Sequence, residues 1–277
     1  MNFDTVISVP FKQGQRKDGV DKGTEHLFKL LQESKCNLIT DDLTLITVYS
    51  KQTNIDISNN LWKQDYQQLF NICKNYKRKL LLGGDHTVGQ SSVLSSMCNV
   101  DNPEDLLVIW IDAHADLNTY EASVTKNFHG MPLAGVVGFE DNWIDYKKTL
   151  PTNNLLYFGI RDLDDYEEEQ IKKYNIFRTK DLKILINKIE QKLFENSKMK
   201  IHISWDVDGL DPSFISSTGT TAPNGLTPDD IINLFDYLDH SKIITLDIVE
   251  FNPLLGDCDK SDVVMLNIFN KLKTHAS

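Results

Sequence analysis

Leu106-Leu107-Val108-Ile109-Trp110-Ile111-Asp112-Ala113-His114-Ala115-Asp116 sets an unbroken apolar hexamer directly against three residues able to bind a cation. Six consecutive apolar residues read as a strand covered on both faces, as strands of a parallel sheet are. The acidic segment then falls at the carboxyl end of that strand, where open α/β sheets place their ligands. In an extended chain, side chains two apart share a side, so the spacing predicts that Asp112, His114 and Asp116 point one way. The arrangement recurs at Ile201-His202-Ile203-Ser204-Trp205 followed by Asp206-Val207-Asp208-Gly209-Leu210-Asp211-Pro212, where Asp206 and Asp208 share a side. A third segment, Gly83-Gly84-Asp85-His86, follows the apolar run Lys79–Leu82.

Taken singly, each of these residues has an ordinary explanation. A strand-end Asp caps a helix or holds a turn, and His86 could simply open a helix. Jointly, Asp112, His114, Asp116, Asp206, Asp208 and His86 are too many charged groups to gather without a cation. Oxygen-rich ligands with one or two imidazoles suit a hard or borderline divalent ion such as Mn²⁺. Six ligands exceed what one ion usually takes from a protein, so two ions sharing carboxylates are expected.

The rest of the chain supports one large α/β domain over residues 1–277. Strands are expected near Thr5–Val9, Leu43–Val48, Lys79–Leu82, Leu106–Ile111, Leu155–Gly159, Ile201–Trp205 and Ile243–Asp247, with a weaker one at Tyr174–Phe177. Helices are expected near Lys22–Gln32, Leu61–Tyr76, Thr87–Met97, Tyr166–Lys173, Leu182–Glu195, Pro228–Leu238 and Lys260–Leu272. Strands alternating with helices imply a parallel sheet with right-handed crossovers. With 40 acidic and 29 basic residues and a formal charge of −11, nothing invites nucleic acid or an anionic membrane. The cysteines Cys36, Cys73, Cys98 and Cys258 form no CxxC pair, which argues against a disulfide framework. No secretory signal or membrane-length apolar run is apparent, so a soluble, cytoplasmic protein is expected.

Gly83–His86, Asp112–Asn118 and Ser204–Ser213 resemble the three signature segments of the ureohydrolases, the arginase and agmatinase group. The likeness extends from Pro10-Phe11-Lys12-Gln13-Gly14-Gln15 to Leu246-Asp247-Ile248-Val249-Glu250-Phe251-Asn252-Pro253. It implies a three-layer α/β/α fold around a mostly parallel eight-stranded sheet. It also implies two Mn²⁺ ions, one held by His86, Asp112, Asp116 and Asp206, the other by Asp112, His114, Asp206 and Asp208. A hydroxide bridging the ions would attack the guanidinium carbon, and Asp116 would pass a proton to the leaving amine. By the same resemblance His129 is a proton shuttle or general acid, Glu250 pairs with the substrate guanidinium, and Thr220 lies near the substrate.

Among ureohydrolases, the loop Asn118–Asn127 looks like that of arginases, with Asn118, Ser123, Thr125 and Asn127 where those enzymes bind an α-carboxylate. Gly159-Ile160-Arg161-Asp162-Leu163-Asp164 and Glu167 resemble the segment contacting the α-amine, with Asp164 the leading candidate and Asp162 and Glu167 in support. Read without the resemblance, Asp164 could equally cap the following helix. Lys126 stands where many arginases have Gly, which predicts a different backbone there. The implied activity is hydrolysis of L-arginine to L-ornithine and urea. Agmatinase or another amidinohydrolase, acting on guanidinobutyrate or formiminoglutamate, is the alternative, followed by a non-catalytic homologue that binds metal. Assembly as a trimer is implied by family analogy alone.

Overall fold

The structure, a computed structural model, describes residues 3–34, 36, 38 and 43–272. Eight strands form one sheet: β1 (Thr5–Val9), β2 (Thr44–Thr47), β3 (Lys79–Gly83), β4 (Leu106–Ile111), β5 (Leu155–Phe158), β6 (Phe177–Thr179), β7 (Lys200–Asp206) and β8 (Ile243–Val249). Their spatial order is β2-β1-β3-β8-β7-β4-β5-β6, and every neighbouring pair is parallel. The helices are α1 (Val20–Glu33), α2 (Leu61–Cys73), α3 (Val88–Met97), α4 (Pro132–Val137), α5 (Asp165–Lys173), α6 (Leu182–Glu195), α7 (Pro228–Tyr237) and α8 (Cys258–Lys271).

Alternation along each strand feeds two cores. Leu107, Ile109 and Ile111 of β4 join residues from α1, α6, α7 and α8 on one face of the sheet. Leu106, Val108 and Trp110 join residues from α2, α3, α4 and α5 on the other. The result is a three-layer α/β/α sandwich, as the apolar strands imply. The edge strands β2 and β6 have no fully buried residue, whereas the inner strands are buried apart from Lys200 at the start of β7.

Several bounds differ from the sequence reading, each for a local reason. The second helix ends at Cys73 rather than Tyr76 because the chain tightens beyond it, the Asn75 and Tyr76 amides donating to the carbonyls of Ile72 (3.1 Å) and Cys73 (3.2 Å) three residues back. The last helix starts at Cys258, two residues early, because Asp257 caps it by accepting from the Lys260 amide. The weak strand lies at Phe177–Thr179 rather than Tyr174–Phe177. Helix α4, a short apolar segment with Pro at its first position, has no counterpart in the expected elements.

The strand order fixes where a site can form. The chain leaves β4 toward β5 on one side, and leaves β7 toward β8 on the other. A crevice therefore opens between the carboxyl ends of β4 and β7, the topological switch point of the sheet. Register pairs Ile111 with Trp205, which brings Asp112 beside Asp206. Asp206 in turn pairs with Val249, and the Glu250 amide donates to the Gly84 carbonyl at 2.8 Å. Four segments, spread along the chain from Gly84 to Glu250, thus meet at one edge.

Beneath that edge, α3 packs on polar strand residues, which accounts for two of its four serines, Ser92 and Ser96. Ser92 donates to Asp247 (2.7 Å), Asp247 meets His202 Nε2 (2.9 Å), and Ser96 contacts His202 Nδ1 (2.9 Å) and Thr245 (2.8 Å), all fully buried. Buried polar groups are tolerable only when paired in this way.

On the opposite face α1 approaches β8 so closely that a methyl group at Gly23 would overlap the Phe251 carbonyl. Replacing Gly by Ala inside a helix normally gains up to about 1 kcal/mol. Here the overlap is with backbone, and overpacking of that kind costs about 1–3 kcal/mol. Gly23→Ala is expected to lower the urea midpoint at unchanged m-value; a raised midpoint would show that α1 can retreat freely.

Candidate functional site

The signature residues converge, though not through extended strands. β4 ends at Ile111, and the chain bends at Asp112, whose own carboxylate accepts the His114 amide at 2.7 Å. Asp116 is brought round by a left-handed backbone (φ 52°). Beyond β7, residues Val207–Gly209 form a single 3-10 turn, in which Asp206 accepts the Asp208 amide at 2.8 Å. The two-residue alternation expected here stops at the strand ends. Hydrogen bonds from backbone amides of the bends to the carboxylates do the converging.

His86 Nδ1 faces Asp116 Oδ2 at 3.0 Å, Asp112 Oδ2 at 3.1 Å and Asp206 Oδ2 at 3.3 Å. His114 Nδ1 faces Asp208 Oδ2 at 3.2 Å and Asp112 Oδ1 at 3.4 Å. Donor atoms of His86, Asp112 and Asp206 lie within 4.8 Å of one another, and so do those of Asp112, His114 and Asp208. Asp112 is common to both groups and presents one oxygen to each. His86 Nδ1 and Asp116 Oδ2 are buried without a hydrogen-bond partner, a costly state for such atoms in the absence of a cation. Oxygen-rich donors with one imidazole in each group are the set a hard or borderline divalent ion takes.

Electrostatics say the same. Burial, with Asp208 and Asp112, drives the Asp206 carboxyl well above its ordinary range. Burial and Asp112 push Asp116 up to about 6. Burial opposes charge on His86 and His114, yet the surrounding carboxylates raise both. Protons are retained where positive charge is needed, and bound cations would displace them.

Supporting groups orient the ligands. Ser204 Oγ lies 2.9 Å from His86 Nε2; with that nitrogen protonated, Nδ1 keeps its lone pair for an ion. Trp110 donates to Asp112 Oδ2 at 3.0 Å and stacks on the His86 ring at 4.0 Å. Arg161 spreads its guanidinium over backbone carbonyls, among them Asp208 (2.9 Å) and Gly209 (3.1 Å), and so braces the second acidic loop. These three were not singled out from the sequence. Ser204 and Trp110 were accessible in principle, because each sits two residues before a ligand on the same face of its strand.

A cavity of about 270 Å³ opens above the acids. It is lined by His114, Asp116, Asp206 and Asp208, and by Asn118, Ser123, Thr125, His129, Asp164, Glu167, Thr220 and Glu250. Glu250 Oε1 accepts the His86 amide and faces His129 Nδ1, both at 2.9 Å. Burial opposes protonation of His129, but Glu250 raises it to about 9. Asp164 caps α5 through Oδ1 and receives Asn118 Nδ2 on Oδ2 at 2.8 Å, leaving Asn118 Oδ1 buried without a partner. Burial pushes Glu167, which accepts the Leu117 amide, up to about 8.

Two residues expected at the substrate are not on this wall. Asp162 lies behind the ligand, 3.6 Å from His114 Nε2, because its segment pairs with His114 and turns it away from the cavity. Asn127 lines the adjacent groove with Gln13, Arg16 and Tyr120. Lys126 adopts the left-handed conformation a Gly would take (φ 57°), and its ammonium donates to the Tyr120 and Glu121 carbonyls.

The arginase-family model matches residues 4–273, so nearly the whole fold and every acidic segment fall within it. The chain belongs to the arginase family. Arginase from Entamoeba histolytica is 31% identical over 279 residues, covering 93% of this chain and 94% of that protein. Arginase from Plasmodium berghei is 31% identical over 303 residues, covering 93% and 84% respectively. A crystal structure of the Entamoeba histolytica arginase superposes with a TM-score of 0.84 at 28% identity, over 98% of this chain and 99% of that one. Members of the family are metal-dependent hydrolases of amidine C–N bonds, and the chain is an enzyme of that class.

Loss of an outer hydrogen bond to a ligating imidazole typically costs about 10–100-fold in metal affinity. Ser204→Ala should therefore weaken divalent-metal binding by that factor with the fold intact, as read by competition against a fluorescent chelator. Unchanged affinity would mean that Trp110 alone holds the His86 ring.

Proposed function

We propose that the chain hydrolyses L-arginine to L-ornithine and urea with two Mn²⁺ ions per subunit. His86, Asp112, Asp116 and Asp206 would hold one ion, and Asp112, His114, Asp206 and Asp208 the other. Asp112 and Asp206 would be shared between the two ions. Two such ions supply, when bound, a water acidified enough to act as hydroxide near neutral pH.

Glu250 has one oxygen engaged by His86 and His129, which leaves the other free to accept guanidinium N–H groups. This carboxylate holds the substrate carbon over the acids. The resonance-stabilised guanidinium becomes a leaving amine only if a proton arrives as the C–N bond breaks. Asp116, which lines the cavity among the acids, can carry a proton taken from the nucleophile to that nitrogen. His129, anchored at Nδ1, can exchange one with solvent through Nε2. Thr220 stands at the cavity mouth, where its hydroxyl can meet the substrate.

One wall carries the choice of arginine. The Ser123 hydroxyl oxygen accepts the Lys126 amide and that of Thr125 accepts the Asn127 amide, so each retains its own proton for an incoming acceptor. Two free O–H donors suit an α-carboxylate. Asp164, with the unpartnered Asn118 Oδ1 beside it, suits an α-ammonium, and Glu167 lies behind them. The Entamoeba histolytica neighbour was solved in complex with L-ornithine, the amino-acid product of the proposed reaction. A site built to hydrogen-bond a group discriminates strongly against a ligand that lacks it. Agmatine, which has no carboxylate, would leave both hydroxyls unmet. The chain would act as one unit over residues 1–277, and trimer assembly remains part of the proposal by family analogy.

Urea release from L-arginine and agmatine, compared after Mn²⁺ loading and after chelator treatment, is the direct test. Manganese-dependent release from arginine well above agmatine is expected. Faster release from agmatine would reassign the substrate, and release that survives chelation would remove the metal from the scheme. Asp206→Ala is expected to lose both metal and turnover.

Two further variants separate the roles. His129→Ala should lower kcat by about 10²–10⁴-fold with both ions retained. Asp164→Asn preserves the helix cap, since Asn caps as well as Asp, but removes the charge facing the α-ammonium. It should raise KM for arginine while leaving thermal stability nearly unchanged. An unaltered KM would hand the ammonium to another acid.

A further inference from the structure

A second group of ligand-type side chains gathers on the opposite face of the sheet, between the first and last helices. His26 lies on α1, and Cys258 and Asp262 lie one turn apart on the same face of α8. His26 Nε2 is 2.8 Å from Asp262 Oδ1; Cys258 Sγ is 3.8 Å from that oxygen and 3.9 Å from that nitrogen. Zinc binds sulfur at about 2.3 Å and nitrogen or oxygen at about 2.0–2.1 Å, which sets tetrahedral donors about 3.3–3.6 Å apart. The three atoms therefore match one face of such a tetrahedron to within about half an ångström. Their side chains are half-buried, so the fourth corner opens to water.

The surroundings fit that use. The His26 ring lies flat on Phe251, at 5.2 Å and 14° between planes, which fixes its direction. Ser217 is fully buried beside the Cys258 sulfur, and its hydroxyl has no hydrogen-bond partner of normal geometry. Cys258 opens α8, where the helix N-terminus favours an anion. Burial and the Asp262 carboxylate nevertheless push the thiol up. Left to itself the sulfur keeps its proton and is a poor nucleophile, whereas a bound cation would release that proton to the solvent.

We propose that His26, Cys258 and Asp262 form a separate, thiolate-bearing site for one Zn²⁺-class ion, completed by water. Its soft sulfur ligand distinguishes it from the all-oxygen-and-imidazole donor set above the sheet, which suits Mn²⁺. Such an ion pins α1 to α8 where α1 presses on Phe251, the residue after Glu250.

The test uses the full chain with its oxygen-rich centre first saturated with Mn²⁺. Addition of Co²⁺ should produce a thiolate-to-cobalt charge-transfer band at one equivalent, and Zn²⁺ should bleach it. Cobalt that exchanges into the other centre gives no such band, since no cysteine lines it. Cys258→Ser should abolish the band. His26→Gln and Asp262→Asn should each keep the sulfur but weaken Co²⁺ binding about tenfold or more. Absence of the band in the wild-type chain overturns the site, as does a band that persists in Cys258→Ser. Should Cys258→Ser fail to fold, unchanged Co²⁺ affinity in both His26→Gln and Asp262→Asn overturns it equally. Because urea release is not read, the outcome is independent of the substrate proposed above.

Discussion

Four carboxylates and two imidazoles share one buried crevice, and that crowding is the constraint on which the architecture depends. Burying a single unpaired carboxylate is strongly unfavourable, and its neighbours of like charge make matters worse. The fold can hold the cluster where cations, or retained protons in their place, neutralise it. The parallel sheet supplies the frame: β4 and β7 run side by side and end together, so their trailing acids face one another across the switch point. The backbone accepts local strain for this. Asp116 and Glu250 both adopt left-handed conformations, which cost on the order of 1 kcal/mol or more for residues with a side chain. Such strain persists only where the surroundings hold it, and here the acids and the sheet edge do so.

Inside the sheet, the strand period of two reaches into the site. His202, Ser204 and Asp206 of β7 face α3 in succession, and each has a distinct partner: Asp247, His86 and the ligand cluster. The serines of α3 that satisfy Asp247 and His202 hold the strands on which the ligands sit. A polar face on a buried helix would be destabilising by itself. Paired atom for atom with strand residues, it fixes the helix in one position, and with it the Gly-Asp-His segment that precedes it.

The acidic segments and their places were legible because each follows a strand whose apolar run is unmistakable. Leu106–Ile111 and Ile201–Trp205 set both the layer and the end at which the ligands emerge. The sequence could not reveal how Asp112, His114 and Asp116 converge, because the bend after Ile111 depends on Asp112 capping its own loop and on the turn at Asp116. Both depend on tertiary packing, not on local period. Asp162 illustrates the same limit. Its spacing from Asp164 puts both in one polar run, yet the pairing of its segment with His114 turns it behind the ligand. Arg161 read as part of a binding segment, whereas its five donors are spent on carbonyls of neighbouring loops. The cluster of His26, Cys258 and Asp262 was invisible, since 232 residues separate its histidine from its cysteine.

In the proposed reading, recognition would fall to residues that also carry structure. Asp164 caps α5 and orders Asn118; Glu250 receives the His86 amide and anchors His129; Ser123 and Thr125 hold the turns that follow them. Each contact leaves part of the group unspent: an oxygen of Glu250, a hydroxyl proton on Ser123 and on Thr125, a carbonyl on Asn118. What remains points into a cavity of about 270 Å³, a volume that admits a small amino acid and little more. Because the structural contact fixes the rotamer, the free half of the group is oriented before any ligand arrives, and binding loses little further side-chain entropy. The loop can therefore vary in its exposed residues, as at Lys126, while the atoms that face the substrate stay where the fold has put them.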